Sequence, residues 1–190
     1  MPILRRDFML RTVFAALACA IVAASLFAAP GREGFFGAAL GLLMLAIAAA
    51  DARSFIIPDW LSLAALALGL ARAAGGTLAG PWGDGMAAAG RAILLAAVFL
   101  ILRAAYYRLR RRHGIGLGDI KLAAVAGAWL DFTLLTAAVE IAALSALGSY
   151  AISRLFLGRP FEAAAKIPFG LFFAPAIWLC WLAGAILFAD

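Results

Sequence analysis

Phe35-Phe-Gly-Ala-Ala-Leu-Gly-Leu-Leu-Met-Leu-Ala-Ile-Ala-Ala-Ala-Asp51 is a stretch in which the only charged residue comes last. An uninterrupted apolar run of this length is too long for a buried strand and close to the roughly 20 residues of a membrane-spanning helix. The rest of the chain repeats the pattern. Of its 190 residues 67% are hydrophobic, and the mean hydropathy is +1.05. A soluble domain of this size needs far more polar surface, so the composition points to a polytopic membrane protein.

Apolar runs bounded by Gly, Pro and charge predict seven helices, at Val13–Ala29, Phe35–Ala50, Trp60–Ala74, Gly85–Tyr106, Ile115–Leu130, Phe132–Ala151 and Pro168–Phe188. The third and fifth are the weakest signals, and a count of five or six spans follows if either only dips into the bilayer. The expected fold class is therefore an all-α bundle of about six to seven transmembrane helices. With the N-terminus in the cytoplasm, the inner segments are 1–12, 51–59, 103–121 and 152–167, and they carry thirteen of the sixteen Lys and Arg. Only Arg32, Arg72 and Arg91 fall towards the outer side. That asymmetry is the positive-inside signature, and it accounts for the net charge of +6 without nucleic-acid binding. Arg5-Arg6 ahead of the first apolar run resembles a twin-arginine signal, but the first helix is expected to be retained.

The same topology brings two carboxylates to one membrane face. Asp51 leaves the second helix and opens Asp51-Ala-Arg-Ser-Phe-Ile-Ile-Pro58; Asp119 follows three glycines in His113-Gly-Ile-Gly-Leu-Gly-Asp119 and enters the fifth. An acid at the edge of a spanning helix is costly and marks a functional site by default. Two that converge suit acid–base hydrolysis: one, ionised, deprotonates a water, while the other, protonated, polarises the scissile carbonyl. The paired titration does not say which of them holds the proton. Gly114, Gly116 and Gly118 allow unusual backbone shapes and close approach of an extended segment, and Pro58 blocks helical continuation. Gly116, Gly118, Lys121 and Pro58 are candidates for substrate positioning. Lys121 has alternatives as a partner of either aspartate or a marker of the interface, and Asp59 reads as the N-cap of the next helix. A single His and two isolated cysteines, Cys19 and Cys180, suggest no metal site, and no cofactor is expected.

Taken in order, these segments resemble the prepilin peptidase family, the type IV prepilin leader peptidases among the GxGD aspartyl membrane proteases. Asp51-Ala-Arg-Ser-Phe-Ile-Ile-Pro-Asp59 is similar to the family's first catalytic stretch and Gly116-Leu-Gly-Asp-Ile-Lys-Leu122 to its second. Ala126-Gly-Ala-Trp-Leu130 and Lys166-Ile-Pro-Phe-Gly170 resemble later family elements. The resemblance implies an aspartic endopeptidase of the inner membrane that removes the leader from prepilins or pseudopilins at the cytoplasmic face, with Asp51 and Asp119 as its catalytic acids. It is similar to the short form associated with tight-adherence (Flp) pili, so a Flp-type substrate, surrounding lipid and the pilus assembly or secretion machinery are the expected partners. Longer members carry a cysteine-bearing domain and also N-methylate the pilin; without a C-x-x-C here, methyltransferase activity is not expected.

Residues 1–34 read as a basic segment plus first helix, and 35–190 as the peptidase core. Arg91 and Glu140 sit at similar depths, some 9–12 Å into their helices, and are expected to form a structural ion pair. A small proton- or cation-coupled transporter is the rival reading. It predicts acids near mid-membrane and an internal repeat; no repeat is seen, and both key aspartates lie at one edge.

Overall fold

A computed structural model describes residues 2–75, 80–112, 114–157 and 168–188. His113 and the Lys166-Ile167 part of the last family-like element lie outside the described residues. The described chain forms seven helices and no strand: α1 (Pro2–Ala28), α2 (Arg32–Ser54), α3 (Asp59–Ala74), α4 (Gly80–Arg110), α5 (Leu117–Trp129), α6 (Phe132–Leu157) and α7 (Phe169–Leu187). Five are long and apolar enough to cross a membrane, over Met9–Ala28, Arg32–Ser54, Asp84–Arg110, Phe132–Ser153 and Phe169–Leu187. The fold is an all-α polytopic membrane bundle. α3 and α5 fall short of a span. At 13 residues α5 reaches only about 20 Å, against a hydrocarbon layer of about 30 Å.

That short helix is the centre of the molecule. α5 packs against α3, α4 and α7 and touches α6. Its Leu122, Ala123, Val125 and Ala126 are completely buried, as expected where residues 122–129 are apolar on every side. Around it, α2 packs between α1 and α7, and α6 lies on α7.

Helices in lipid gain little from apolar burial and associate through close contact of small residues. The bundle does this repeatedly. A side chain at Gly37 of α2 would enter the Trp181 ring of α7, and one at Gly127 of α5 would stand 2.6 Å from the Arg91 carbonyl of α4. α1 is mostly exposed but is tied in by the Trp178 Nε1–H, which donates to the buried Ser25 hydroxyl at 3.1 Å. Far from Asp51, the Arg72 Nε donates to Glu33 Oε2 at 2.6 Å, and Arg32 Nη2 donates to the Gly75 carbonyl at 2.7 Å. These bonds clip the start of α2 to the end of α3.

Candidate active site

Asp51 lies in the last turn of α2, and what ends that helix is not Pro58. Phe55 turns into the left-handed region (φ 54°, ψ 25°), and its N–H closes on the Asp51 carbonyl at 2.9 Å. A bulky residue seldom adopts this conformation. The turn sends the chain out of α2 three residues before Pro58, which instead precedes α3 as its N-cap (φ −62°, ψ 133°). The Asp51 side of the turn faces inward, and the residue is only 5% exposed. Its carboxylate meets the start of α7, where Leu171 N–H donates to Oδ2 at 2.9 Å. Leu171 is in the first turn of α7, where its N–H has only the carbonyl of the N-cap Pro168, at 3.2 Å, as a second acceptor. The positive end of that helix is a ready site for an anion, and the bond offsets part of the cost of burying a carboxylate.

Asp119 occupies the equivalent place at the start of α5, in the connection between the fourth and sixth helices and outside the five spans. Gly116, its N-cap, donates its N–H to Asp119 Oδ2 at 3.1 Å. Arg103 of α4 reaches across through Nη1 to the Ile115 carbonyl, fixing the glycine-rich loop from the other side. Burial pushes the Asp119 carboxyl up to about 6. The Gly116 N–H and the Arg103 charge oppose that rise, and the Asp51 charge adds to it. The two aspartates are therefore close enough to feel each other's charge.

Ile57, 5% exposed, packs against the glycine next to each acid. A Cβ at Gly118 would lie 2.9 Å from Ile57 Cδ1; a Cβ at Gly170 would lie 2.8 Å from the same atom and 2.8 Å from Asp51 Oδ2. Gly118 and Gly170 are needed for their lack of a side chain, because each faces a wall that is already in contact. Backbone permissiveness, expected of Gly114, Gly116 and Gly118, is not what the fold uses: the one described glycine with positive φ is Gly31, and Gly116 is extended at φ −70° and ψ 151°.

Two other expectations change. Lys121 pairs with Asp59, joining the N-terminal part of α5 to the first residue of α3, and with neither Asp51 nor Asp119. Asp59 is thus the first residue of α3 and an ion-pair partner; it makes no capping hydrogen bond. Arg91 and Glu140 do not pair. Arg91 is on α4, with its Nε–H on the Gly127 carbonyl at 3.2 Å, whereas Glu140 is exposed on α6, and α4 and α6 make no contact. Equal depth was the basis for that pair, but depth does not set the order of helices around a bundle.

Leu171, Ile57 and Arg103 entered no sequence-based expectation. Gly170 was noted only as part of a family-like element. Its position one residue before the N–H that holds Asp51 is the signal that Pro168-Phe-Gly170 carried.

The profile of the type IV leader peptidase family matches residues 38–152, a region that contains both aspartates. The chain is 31% identical to a prepilin leader peptidase/N-methyltransferase from Aeromonas hydrophila over 167 residues, covering 86% of this chain and 54% of that protein. It is 36% identical over 163 residues to one from Burkholderia pseudomallei (strain 1026b), covering 83% and 50%. It is also 35% identical over 85 residues to the leader peptidase HopD of Escherichia coli, covering 45% and 54%. The chain spans about half the length of the curated relatives it matches. No solved structure matches it.

The contact between Gly170, Ile57 and Asp51 generates a double-mutant test. Gly170→Ala should lower stability by about 1–3 kcal/mol through overpacking, read as the unfolding transition in detergent. Adding Ile57→Ala should recover part of that loss, because it removes one of the two colliding groups. Strictly additive losses would contradict the arrangement.

Proposed function

The chain belongs to the type IV leader peptidase family, and from that premise we propose that it is an aspartic endopeptidase using Asp51 and Asp119 as its acid–base pair. Its substrate class is the leader segment of type IV-like prepilins or pseudopilins, with a Flp-type pilin as the favoured case. The observation that carries this reading is geometric: Asp51 and Asp119 are each held by a backbone N–H at the start of a helix, and Ile57 packs against both Gly118, next to Asp119, and Gly170, next to Asp51.

In this reading the pair works with one proton between its two carboxyls. The proton is assigned to Asp119, whose carboxyl is pushed up to about 6 by burial. Asp119 donates a hydrogen bond to the scissile carbonyl, while ionised Asp51 takes a proton from the attacking water. Collapse of the tetrahedral intermediate then passes that proton to the leaving amine. Gly118 and Gly170 leave the backbone bare beside both acids, where an extended peptide replaces Ile57. The Asp59–Lys121 pair and Arg103 act as positioning groups for the loop that carries Asp119. Pro58 contributes by starting α3 so that Asp59 meets Lys121.

Residues 35–190 form the peptidase core in this proposal, and α1 is an added helix that docks on α2 and α7. The enzyme is placed in the inner membrane with the aspartate end towards the cytoplasm and access to the pilus assembly machinery. A transporter is the weaker reading, since both aspartates lie at one end of the bundle, where α2 ends and α5 begins. The N-methyltransferase named in the relatives is not part of the proposal.

Two measurements test it. Purified full-length protein in lipid should cleave a Flp-type prepilin. Asp51→Asn and Asp119→Asn should each lose at least about a hundredfold in rate while remaining folded; cleavage that survives either change excludes the pair. The pH profile has a required sign as well. Raising the pH through about 6 ionises Asp119 and removes the shared proton, so activity should fall along an alkaline limb with a midpoint near that value. Arg103 stabilises the ionised form, so Arg103→Gln should move the limb to higher pH. A limb that stays in place would remove Arg103 from the site.

A further inference from the structure

At the end of the bundle opposite the aspartates, a cavity of about 550 Å³ opens between the α1–α2 turn, α3, α4, the α5–α6 turn and the end of α7. The volume lies within the range of small-ligand sites. Its walls combine aromatic surface from Trp129, Trp181 and Phe188 with four charged residues, Glu33, Asp131, Arg72 and Arg91.

Three of the four charges are already engaged. Arg72 donates to Glu33 at 2.6 Å and stands 5.6 Å over the Trp129 ring. Asp131 accepts the Leu134 N–H at 2.8 Å and so caps α6. Arg91 differs. It is half-buried and sits seven residues into the Asp84–Arg110 span. Its Nε–H meets the neutral Gly127 carbonyl, and among the described residues no carboxylate lies within ion-pair distance. A guanidinium has five N–H donors, so four remain at the cavity wall without a described protein acceptor. A cation this deep in a spanning helix is expensive unless an anion reaches it.

We propose that this cavity is a phospholipid site in which Arg91 binds the headgroup phosphate. The planar guanidinium fork matches phosphate oxygens in a bidentate arrangement, which makes Arg the fitting residue for this ligand. The Arg72–Glu33 pair is satisfied internally and forms a neutral polar rim. Trp129 and Trp181, each 4% exposed, are fixed by the core and give the cavity rigid ring walls. Leu134, Ala185 and Phe188 continue the cavity along α6 and α7, giving the start of an acyl chain an apolar path. Free phosphate shares the charge but not that apolar path. The site lies apart from Asp51 and Asp119 and does not depend on their proposed role. A bound lipid would link the α1–α2 turn to the end of α7.

The test is native mass spectrometry of the full-length protein in detergent, titrated with dioleoyl phosphatidylglycerol and, in separate arms, with inorganic phosphate and glycerol 3-phosphate. The expected result is one high-affinity lipid adduct, weakened at least tenfold in Arg91→Gln and partly restored in Arg91→Lys. Ala185→Phe, which fills the apolar path and leaves Arg91 in place, should also weaken it. Arg110→Gln, at the other end of α4, should not. The same lipid should raise the thermal unfolding midpoint of the wild type more than that of Arg91→Gln. Equal lipid affinity in wild type and a folded Arg91→Gln, or in Ala185→Phe, would overturn the proposal. Saturation by inorganic phosphate or glycerol 3-phosphate at concentrations as low as the lipid's would assign the site to a free phosphate and overturn the lipid assignment.

Discussion

The hydrogen bond from Leu171 N–H to Asp51 Oδ2 joins the end of α2 to the beginning of α7 across 120 residues of chain. Most of the site's geometry follows from it. For the carboxylate to reach the first turn of α7, α2 must stop just beyond Asp51, and it does so through the left-handed Phe55. For α7 to come that close, residue 170 must lack a side chain, and it is glycine. Ile57 then fills the space that Gly118 and Gly170 leave, which brings the start of α5, and Asp119 with it, to the same place. A buried carboxylate without such a partner would be expensive enough to disturb the packing around it.

The remainder of the bundle is arranged so that this junction can exist in lipid. Apolar burial drives helix association weakly there, and contact comes from small residues: Gly37 against Trp181 and Gly127 against the α4 backbone. Polar bonds are concentrated at the two ends. Asp59–Lys121 and Arg103–Ile115 lie with the aspartates, and Arg72–Glu33 and Arg32–Gly75 lie at the other end. Between these layers α5 is entirely apolar. At its C-terminal end the Trp129 Nε1–H donates to the buried Ala65 carbonyl at 2.9 Å.

Much of this was legible from residues alone, for definable reasons. Apolar runs punctuated by Gly, Pro and charge mark helices directly, and all seven were located, with α3 and α5 recognised as the weakest signals. Asp51 and Asp119 stood out because carboxylates are rare beside such runs. What could not be read was lateral arrangement. A backbone N–H has no sequence signature, so Leu171 was invisible as the partner of Asp51. Ile57 looked like any apolar residue ahead of a proline. Arg91 and Glu140 matched in depth, but the order of helices around the bundle places them on elements that never touch. Lys121 was read as a substrate-positioning residue, a partner of either aspartate or an interface marker, and its pairing with Asp59 depends on where α3 begins.

The proposed acid–base pair requires the two carboxyls to form one electrostatic unit. The direct measurement is a titration of Asp119 by the carboxyl 13C shift in selectively labelled full-length protein in lipid, comparing the wild type with Asp51→Asn. A midpoint near 6 in the wild type that moves down when the Asp51 charge is removed is the expected result. An Asp119 midpoint that is the same in both proteins would contradict it, because the aspartates would then titrate as strangers.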